Sequence, residues 1–304
     1  VVGLPPQEDY YLGKATERLF LPLLKVLIPD ILDYDLPMFG TFHNCALIQI
    51  KKHYPLHARR VMHAIWGAGQ MAWTKTIFVV DETVDVHDTR AVLEACAAHC
   101  HPIRDVETVN GALDILDHAA PRLAAGVKMG FDCTPKVPGE EVGNIPLPDH
   151  QGGATARLRS DGWCEHAARI DGVLRAEMPE HAKGWGLIEV DRGFDEAAGA
   201  GLGRRVADAA AAIDPEGGPP FIIVVGRGVA LDDPVDPFFH WLANSDPGRD
   251  AIRNGATLAF DATPKTPEDE GEAGPVRAWP PILEMQADVD QAAATRLASR
   301  PEFS

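Results

Sequence analysis

The amino-acid sequence contains an internal repeat, and this repeat constrains the fold more than any other feature. Residues 76–106 and 221–251 align at a constant offset without a gap, and FDCTPK at 131–136 recurs as FDATPK at 260–265 after a deletion in the second copy. Chance seldom keeps one offset through strand-like, helix-like and turn-like segments. The chain is therefore a tandem duplication and has to fold as two similar units. The identical pairs in the longer stretch include Val79/Val224, Val80/Val225, Val84/Val229, Asp88/Asp233, Pro102/Pro247, Arg104/Arg249 and Asp105/Asp250.

Length, charge and cysteine content narrow the class of protein. The 304 residues suffice for two domains with their own cores, and a formal charge of −17 argues against a nucleic-acid surface. No apolar run reaches the roughly 20 residues of a membrane span. Five cysteines without paired spacing favour a reducing compartment, so we expect a cytoplasmic protein. The chain opens without Met in a linker-like segment, and we expect residues upstream of Val1.

Hydrophobic patterns predict an α/β fold in both copies. Strand patterns alternate with helix patterns, which favours a mostly parallel sheet flanked by helices in each unit. We predict helices over 8–27, 57–69, 87–100, 204–214 and 237–244, and strands over 45–52, 74–82, 185–192 and 221–225. The predicted organisation is a linker helix at 1–30, a first domain at 31–142, a linker at 143–183 and a degenerate repeat of the domain at 184–304.

Four motifs in the first copy carry a resemblance to a known family. They are KKHYPLHARRVM (51–62), WGAGQMAWTK (66–75), VVDETVDVHD (79–88) and KMGFDCTPKVPGE (128–140). In this order they resemble the carboxy-terminal domain of UbiD-like decarboxylases, which use prenylated FMN and a divalent metal to decarboxylate aromatic or α,β-unsaturated acids. The opening at 8–18 resembles the branch that makes menaquinone by the futalosine route. Leu56 departs from the glycine usual in the family.

The resemblance implies what this chain does and which residues take part. The family's catalytic and metal-binding residues lie in an amino-terminal flavin-binding domain, so we expect no catalytic residue, metal or flavin in this chain by itself. It would serve as the lid and assembly part of a homo-oligomeric enzyme acting on a small aromatic carboxylate. Leu113 and Ile115 would line the substrate pocket, with Asp114 and Asp117 beside them. The alternative for this segment is an ordinary edge strand.

A basic cluster stands out in this acidic chain. It could contact a flavin phosphate or a substrate carboxylate, or it could be a solvated helix face paired with acidic neighbours. Lys75 is favoured because it precedes a buried strand, although ligands at strand carboxyl ends would instead favour Asp81 and Glu82. The second copy keeps both arginines as Arg204 and Arg205 and is expected to have lost the lysines and the histidine. The cluster consists of Lys51, Lys52, His57, Arg59 and Arg60.

Cysteine and histidine spacing at the end of the second predicted helix suggests a metal site. Cys96, His99 and Cys100 could share a helix face, with His101 beside them. The second copy has Trp, Asn, Ser and Asp at these positions, so the fold does not need a metal there. We predict no metal at this place.

Two hypotheses of different class follow. The chain is the carboxy-terminal part of a UbiD-like decarboxylase, or it is a non-catalytic interaction and assembly protein derived from that family. In the second case the second copy would act as a permanent partner of the first within one chain.

Overall fold

The computed structural model describes residues 5–141, 145, 162–194, 199–215, 217–269, 274–279 and 286–300. It contains two five-stranded sheets of the same topology, one from each repeat. The strands of the first sheet are β1 (Ile31–Asp35), β2 (Cys45–Ile50), β3 (Thr76–Asp81), β4 (Val106–Ala112) and β5 (Ala125–Asp132). Those of the second are β6 (Val173–Glu177), β7 (Trp185–Val190), β8 (Phe221–Val225), β9 (Ala251–Asn254) and β10 (Thr257–Ala262).

The two sheets have the same strand order. The sheets run β1-β2-β3-β5-β4 and β6-β7-β8-β10-β9. In each sheet the three central strands are parallel and both outer strands are antiparallel to their neighbours. Even an irregularity in the first strand recurs, between Ile31 and Asp33 and between Val173 and Arg175. The sheets are thus mixed, whereas a mostly parallel sheet was predicted, because β4–β5 and β9–β10 are hairpins and a hairpin joins antiparallel strands.

The helices agree with the predicted positions, with shifted ends. Asp88 begins α3 by accepting a hydrogen bond from the amide of Ala91 at 3.1 Å. The helix predicted over 57–69 is shorter than expected. It ends at Ile65, and a 3-10 turn over Gly69–Trp73 follows. The helices are α1 (Gln7–Leu27), α2 (His57–Ile65), α3 (Thr89–His99), α4 (Trp163–Ala167), α5 (Leu202–Ala211), α6 (Asp236–Asn244), α7 (Pro247–Asp250) and α8 (Ala287–Ala298).

The second unit begins earlier than the predicted boundary at 184. Helix α4 and strand β6 both lie within 143–183, the stretch predicted as a linker. Strand β6 pairs with β7 as β1 pairs with β2, so it is the edge strand of the second sheet. Its five residues are too few for a clear alternation of apolar and polar side chains, and this is why the sequence pattern missed it.

The two sheets pack face to face around one shared apolar core. Phe78 and Phe131 of the first sheet stack with ring centroids 4.6 Å apart, and the ring of Trp241 lies 6.3 Å and 6.1 Å from them. The indole nitrogen of Trp185 donates to the carbonyl of Leu93 in α3 at 3.0 Å. All five side chains belong to the same buried cluster, which both repeats build together.

Within this layer, one helix of each unit contacts a turn of the other unit. Helix α3 of the first unit contacts the turn Glu180–Ala182 of the second, and α6 of the second contacts the turn Met38–Gly40 of the first. The outer face of each sheet is covered by helices of its own repeat, α1 and α2 on one side and α4 and α5 on the other. The arrangement is that of a two-fold dimer contained within one chain.

The interface between the units is complementary in side-chain size. Cys45 and Trp185 hold equivalent places, since the first pairs with Thr76 and the second with Phe221 in the same register. The repeat alignment likewise pairs Cys96 with Trp241. The shared core therefore contains small thiols of the first unit and large indoles at the equivalent places of the second. Two identical units joined in the same way would leave a void or overlap.

Within the described part of the chain, no helix combines the length and the apolar character needed to cross a bilayer.

Replacing Trp241 with alanine tests the shared core. The indole is 3% exposed and contacts the opposite sheet, so Trp241→Ala should lower the free energy of unfolding by about 3–5 kcal/mol. Hydrogen exchange should quicken in β3 and β5 of the first unit as well as in the second. The matched control is Trp73→Ala, because Trp73 is 42% exposed and lies outside this core, and its effect should stay below about 1 kcal/mol. Loss of protection in the second unit alone would contradict a shared core.

Candidate functional site

The predicted pocket residues lie in the connection between β4 and β5, here called loop 113–124. Leu113 is fully buried, Asp114 is half-buried, and Ile115 is 65% exposed. The loop therefore sends Leu113 into the protein and Ile115 into solvent, together with its neighbour Leu116. Only Asp114 and Ile115 of the three predicted residues are open to a ligand, and Leu113 anchors the loop.

A buried carboxylate fixes the backbone of loop 113–124. Asp117 is 3% exposed, and its Oδ1 accepts from the amides of Ala119 and Ala120, each at 3.1 Å. Its Oδ2 lies 2.8 Å from the ammonium group of Lys75. Lys75 also donates to the carbonyl oxygen of Ser245 in the second unit at 3.0 Å. Lys75, which the sequence favoured as an anion contact, is thus paired inside the protein, where it connects the loop to the second repeat.

The other three predicted anion contacts are paired with carboxylates. Lys51 lies 3.0 Å from Glu82, Arg59 lies 2.9 Å from Glu107, and Arg60 forms an ion pair with Asp30.

These cations point to separate places, and each already has a negatively charged partner. A flavin phosphate would have to displace the buried carboxylate of Asp117 to reach Lys75. The pairs of Lys51 and Arg60 are exposed and weak, but these cations lie at separate places, so Lys51, Arg59, Arg60 and Lys75 do not form a ready cradle for the cofactor that the resemblance implies.

The second copy has lost both lysines of the cluster but keeps a cation at one of their places. Lys52 lies two residues after the end of β2, its side chain is 4% exposed, and it pairs with Glu140 at 2.6 Å. Arg192 holds the corresponding place after β7 and pairs with Asp269 at 2.5 Å. The cation was replaced, not lost. The pair joins the end of a central strand to the chain after the last strand in both repeats, which indicates a structural role.

A second ion network is common to both units. Lys136 pairs with Asp132 at 2.9 Å and Lys265 with Asp261 at 3.0 Å, and all four residues are buried. In each unit a threonine hydroxyl also donates to the same aspartate. Burial opposes the charge, yet the lysine holds the aspartate pKa below its ordinary value in both copies. The shared TPK motif therefore stabilises a turn.

The cysteines and histidines proposed as metal ligands do not converge. Cys96 and Cys100 point into the shared core, where burial raises the pKa of both thiols well above the ordinary value. His99 and His101 are half-buried and lie outside that core.

Another group of side chains that could bind a metal ion, which the sequence analysis did not find, lies between α1 and β1. The ligand atoms of Glu17, Asp35 and His87 lie within 4.8 Å of one another, beside an open cavity of about 640 Å³. His87 Nδ1 is 2.7 Å from Asp35. Lys14 forms ion pairs with both carboxylates, so a cation bound there would have to displace an ammonium group. The sequence signal that could have indicated this group is the pair of Lys14 and Glu17, one helical turn apart, followed by the acidic strand β1.

An apolar groove of about 250 Å³ runs between α1 and the turn Gly69–Trp73. Asp114, His43 and Tyr34 are the ionisable groups in its wall. Burial lowers the pKa of His43 and so favours the neutral imidazole. One whole side of α1 beside the groove is apolar and exposed, and it consists of Tyr11, Leu12, Leu19, Phe20, Leu23, Val26 and Leu27.

Comparison with known proteins finds a family model that matches the first repeat. Residues 10–133 match the model described as the 3-octaprenyl-4-hydroxybenzoate carboxy-lyase C-terminal domain. This part of the chain is therefore similar to the UbiD carboxy-terminal domain. An uncharacterized protein of Archaeoglobus fulgidus is 50% identical over 139 residues, which are 45% of this chain and 28% of that relative. One of Aquifex aeolicus is 48% identical over 136 residues, again 28% of the relative. The chain thus spans less than a third of either relative.

Solved structures of UbiD-class enzymes are also similar. The enzyme HmfF from Pelotomaculum thermopropionicum in complex with FMN is 28% identical, with 45% of this chain and 31% of that chain covered and a TM-score of 0.37. Vanillic acid decarboxylase of Sedimentibacter hydroxybenzoicus in open form is 25% identical, with 49% and 33% covered and a TM-score of 0.42.

Replacing Lys75 tests its role in connecting the loop to the second repeat. Lys75→Met leaves the Asp117 carboxylate buried without its cation, so the free energy of unfolding should fall by about 3–5 kcal/mol. Lys51→Met, which removes an exposed pair of the same kind, should cost less than about 1 kcal/mol. Urea unfolding of both variants makes the comparison. Equal losses would show that the Lys75 pair is not the stronger constraint.

His118 should make stability depend on pH. Burial lowers its pKa to about 4, Lys75 and Arg277 act in the same direction, and Asp117 and Asn244 oppose them. The folded-state pKa lies below the ordinary value of about 6.5, so the contribution of neutral His118 is present above pH 6.5 and is lost as the pH falls through 4. Unfolding measured between pH 7 and pH 4 should show a smaller loss in His118→Gln than in the wild type. Identical pH profiles would contradict the assignment.

Proposed function

We propose that this chain is the substrate-lid and assembly part of a UbiD-class decarboxylase that acts on a small aromatic or α,β-unsaturated carboxylic acid. The observation that carries the proposal is the exposed apolar side of α1, with its groove, next to loop 113–124 in a domain of this family. Decarboxylation would take place on a separate flavin-binding domain, which would hold prenylated FMN and its divalent metal. The paired state of Lys51, Arg59, Arg60 and Lys75 supports that division.

The apolar side of α1 suits contact with that other domain. An exposed patch built from seven large apolar side chains on one helix is typical of an interaction site. The stretch shared with this chain makes up 28% of each relative, which leaves room for such a domain in them. Asp114 lines the groove and Ile115 follows it, so a domain docked on α1 would bring its substrate to the tip of loop 113–124.

The finer assignments are also part of the proposal. The opening at 8–18 supports a dihydroxynaphthoate-type substrate in menaquinone formation. The whole enzyme would be a cytoplasmic homo-oligomer. Ile115 and Asp114 would contact the substrate, and Leu113 would hold the loop from inside.

The alternative is a non-catalytic assembly protein. The packing of Trp185 and Trp241 in the shared core favours it, because the second repeat occupies one whole face of the first within the same chain. In that case the exposed side of α1 would bind a partner protein without any decarboxylation.

A reconstitution experiment distinguishes the two functions. The chain is purified from cells that make prenylated flavin and should show no flavin absorption. It is then added to a flavin-loaded UbiD-class enzyme that lacks its carboxy-terminal domain, with an aromatic acid as substrate. Release of carbon dioxide should rise on addition of the chain. Ile115→Asp should lower that release at least tenfold, while Leu174→Asp, an equally exposed change on β6, should not alter it.

If the chain does not raise carbon dioxide release, the lid function is wrong and the assembly function is favoured. A flavin spectrum of the chain alone would contradict the division between the two domains.

A further inference from the structure

We propose that the second repeat acts as a clamp that holds loop 113–124 of the first repeat in one position. The clamp is formed by residues 244–246 at the end of α6 and by Arg277. The consequence for substrate rests on the function proposed above, since the loop is the candidate lid. The clamp itself follows from contacts between the two repeats alone.

Arg277 makes the most direct contact with the loop. Its Nη2 donates to the carbonyl oxygen of Asp117 at 2.6 Å, and its Nε donates to that of Ala120 at 2.8 Å. One guanidinium group thus binds two backbone carbonyls of the same turn in a fixed geometry. The carboxylate of Asp117 closes that turn from the other side by accepting two of its amides. Both edges of the turn are held.

The end of α6 supplies the rest of the clamp. The imidazole Nε2 of His118 lies 3.3 Å from Oδ1 of Asn244, and the ring lies edge-on to Trp279 with centroids 4.6 Å apart. Ser245 accepts from Lys75, the partner of Asp117.

Strand β5, into which the loop runs, is held by the next residue of the second repeat. Asp246 accepts from the amide of Val127 at 3.0 Å. The carboxylate comes so close that a Cβ atom at Gly126 would lie 2.4 Å from it, which explains the glycine.

The two repeats differ at the positions that form the clamp. In the first repeat, His99, Cys100 and His101 stand where the second has Asn244, Ser245 and Asp246. A histidine at the place of Asp246 offers the Val127 amide no carboxylate. The second repeat has no equivalent of this loop, because only Gly255 and Ala256 separate β9 from β10. One unit has kept the loop and the other has acquired the residues that hold it.

The geometry leaves the tip of the loop open while its second half is fixed. Ile115 and Leu116 are exposed, whereas residues 117–120 are bound by the second repeat. A lid fixed in this way would present Ile115 to substrate without first having to be ordered. In this proposal Arg277 is a positioning residue.

Hydrogen exchange of the full chain tests the clamp. Arg277→Ala should speed the exchange of the Asp117, Ala119 and Ala120 amides at least tenfold and leave β3 and β8 unchanged. The matched control is Arg253→Ala, since Arg253 also donates to a backbone carbonyl of the first repeat, that of Pro102 at 3.1 Å, away from the loop. This control should leave residues 117–120 as slow as in the wild type.

Two further variants separate positioning from general stability. Arg277→Lys keeps the charge but lacks the two-pronged donor, so it should restore exchange only in part. Asp246→His places the first-repeat residue in the clamp and should speed exchange at Val127 and in residues 117–120.

Unchanged loop exchange in Arg277→Ala, or faster exchange throughout the protein, would overturn the clamp. None of these measurements needs flavin or substrate. A failed reconstitution of decarboxylation would therefore reject the proposed function and leave the clamp in place.

Discussion

The structure depends on one interaction, the packing of Trp185 and Trp241 of the second repeat against Phe78 and Phe131 of the first. These rings fill the space between two sheets that each bury their other face under their own helices. Removing one repeat would expose an entire apolar sheet face of the other to water. The contacts of the loop, of Lys75 and of Arg277 exist only because this core fixes the two units side by side. The shared core is therefore the constraint from which the candidate site follows.

Comparing the two repeats distinguishes residues that the fold requires, which are the same in both, from residues that differ between them. The buried pairs of Lys136 with Asp132 and of Lys265 with Asp261 are the same in both repeats, so they belong to the scaffold. Differences occur in the shared core, where Cys45 and Cys96 of the first repeat correspond to Trp185 and Trp241 of the second, and at the loop. A symmetric dimer has to use the same residues on both sides of its interface. A duplicated chain does not, and here Arg277 of one repeat binds loop 113–124 of the other.

Much of the fold could be predicted from the sequence, and less of the site. The repeat fixed the number of units, and the spacing of Leu12, Leu19 and Leu23 predicted α1. Periodicity shows which face of an element is apolar, but it does not show what covers that face, so the exposed side of α1 and the shared core look alike in sequence. Lys75 was a plausible anion contact for the same reason, because its partners come from distant parts of the chain. Leu113 and Ile115 alternate along the chain, and only the structure shows which of them points inward.

The most direct test of the account is equilibrium unfolding of the wild-type chain in urea, followed by tryptophan fluorescence and by far-ultraviolet circular dichroism. Two of the six tryptophans, Trp185 and Trp241, lie in the shared core and contribute to the fluorescence, and circular dichroism reports on both sheets. If the two repeats depend on one core, both signals should change in a single transition with the same midpoint. Two separate transitions, or a fluorescence change that leaves most secondary structure intact, would show that the repeats are independent domains and would contradict the account.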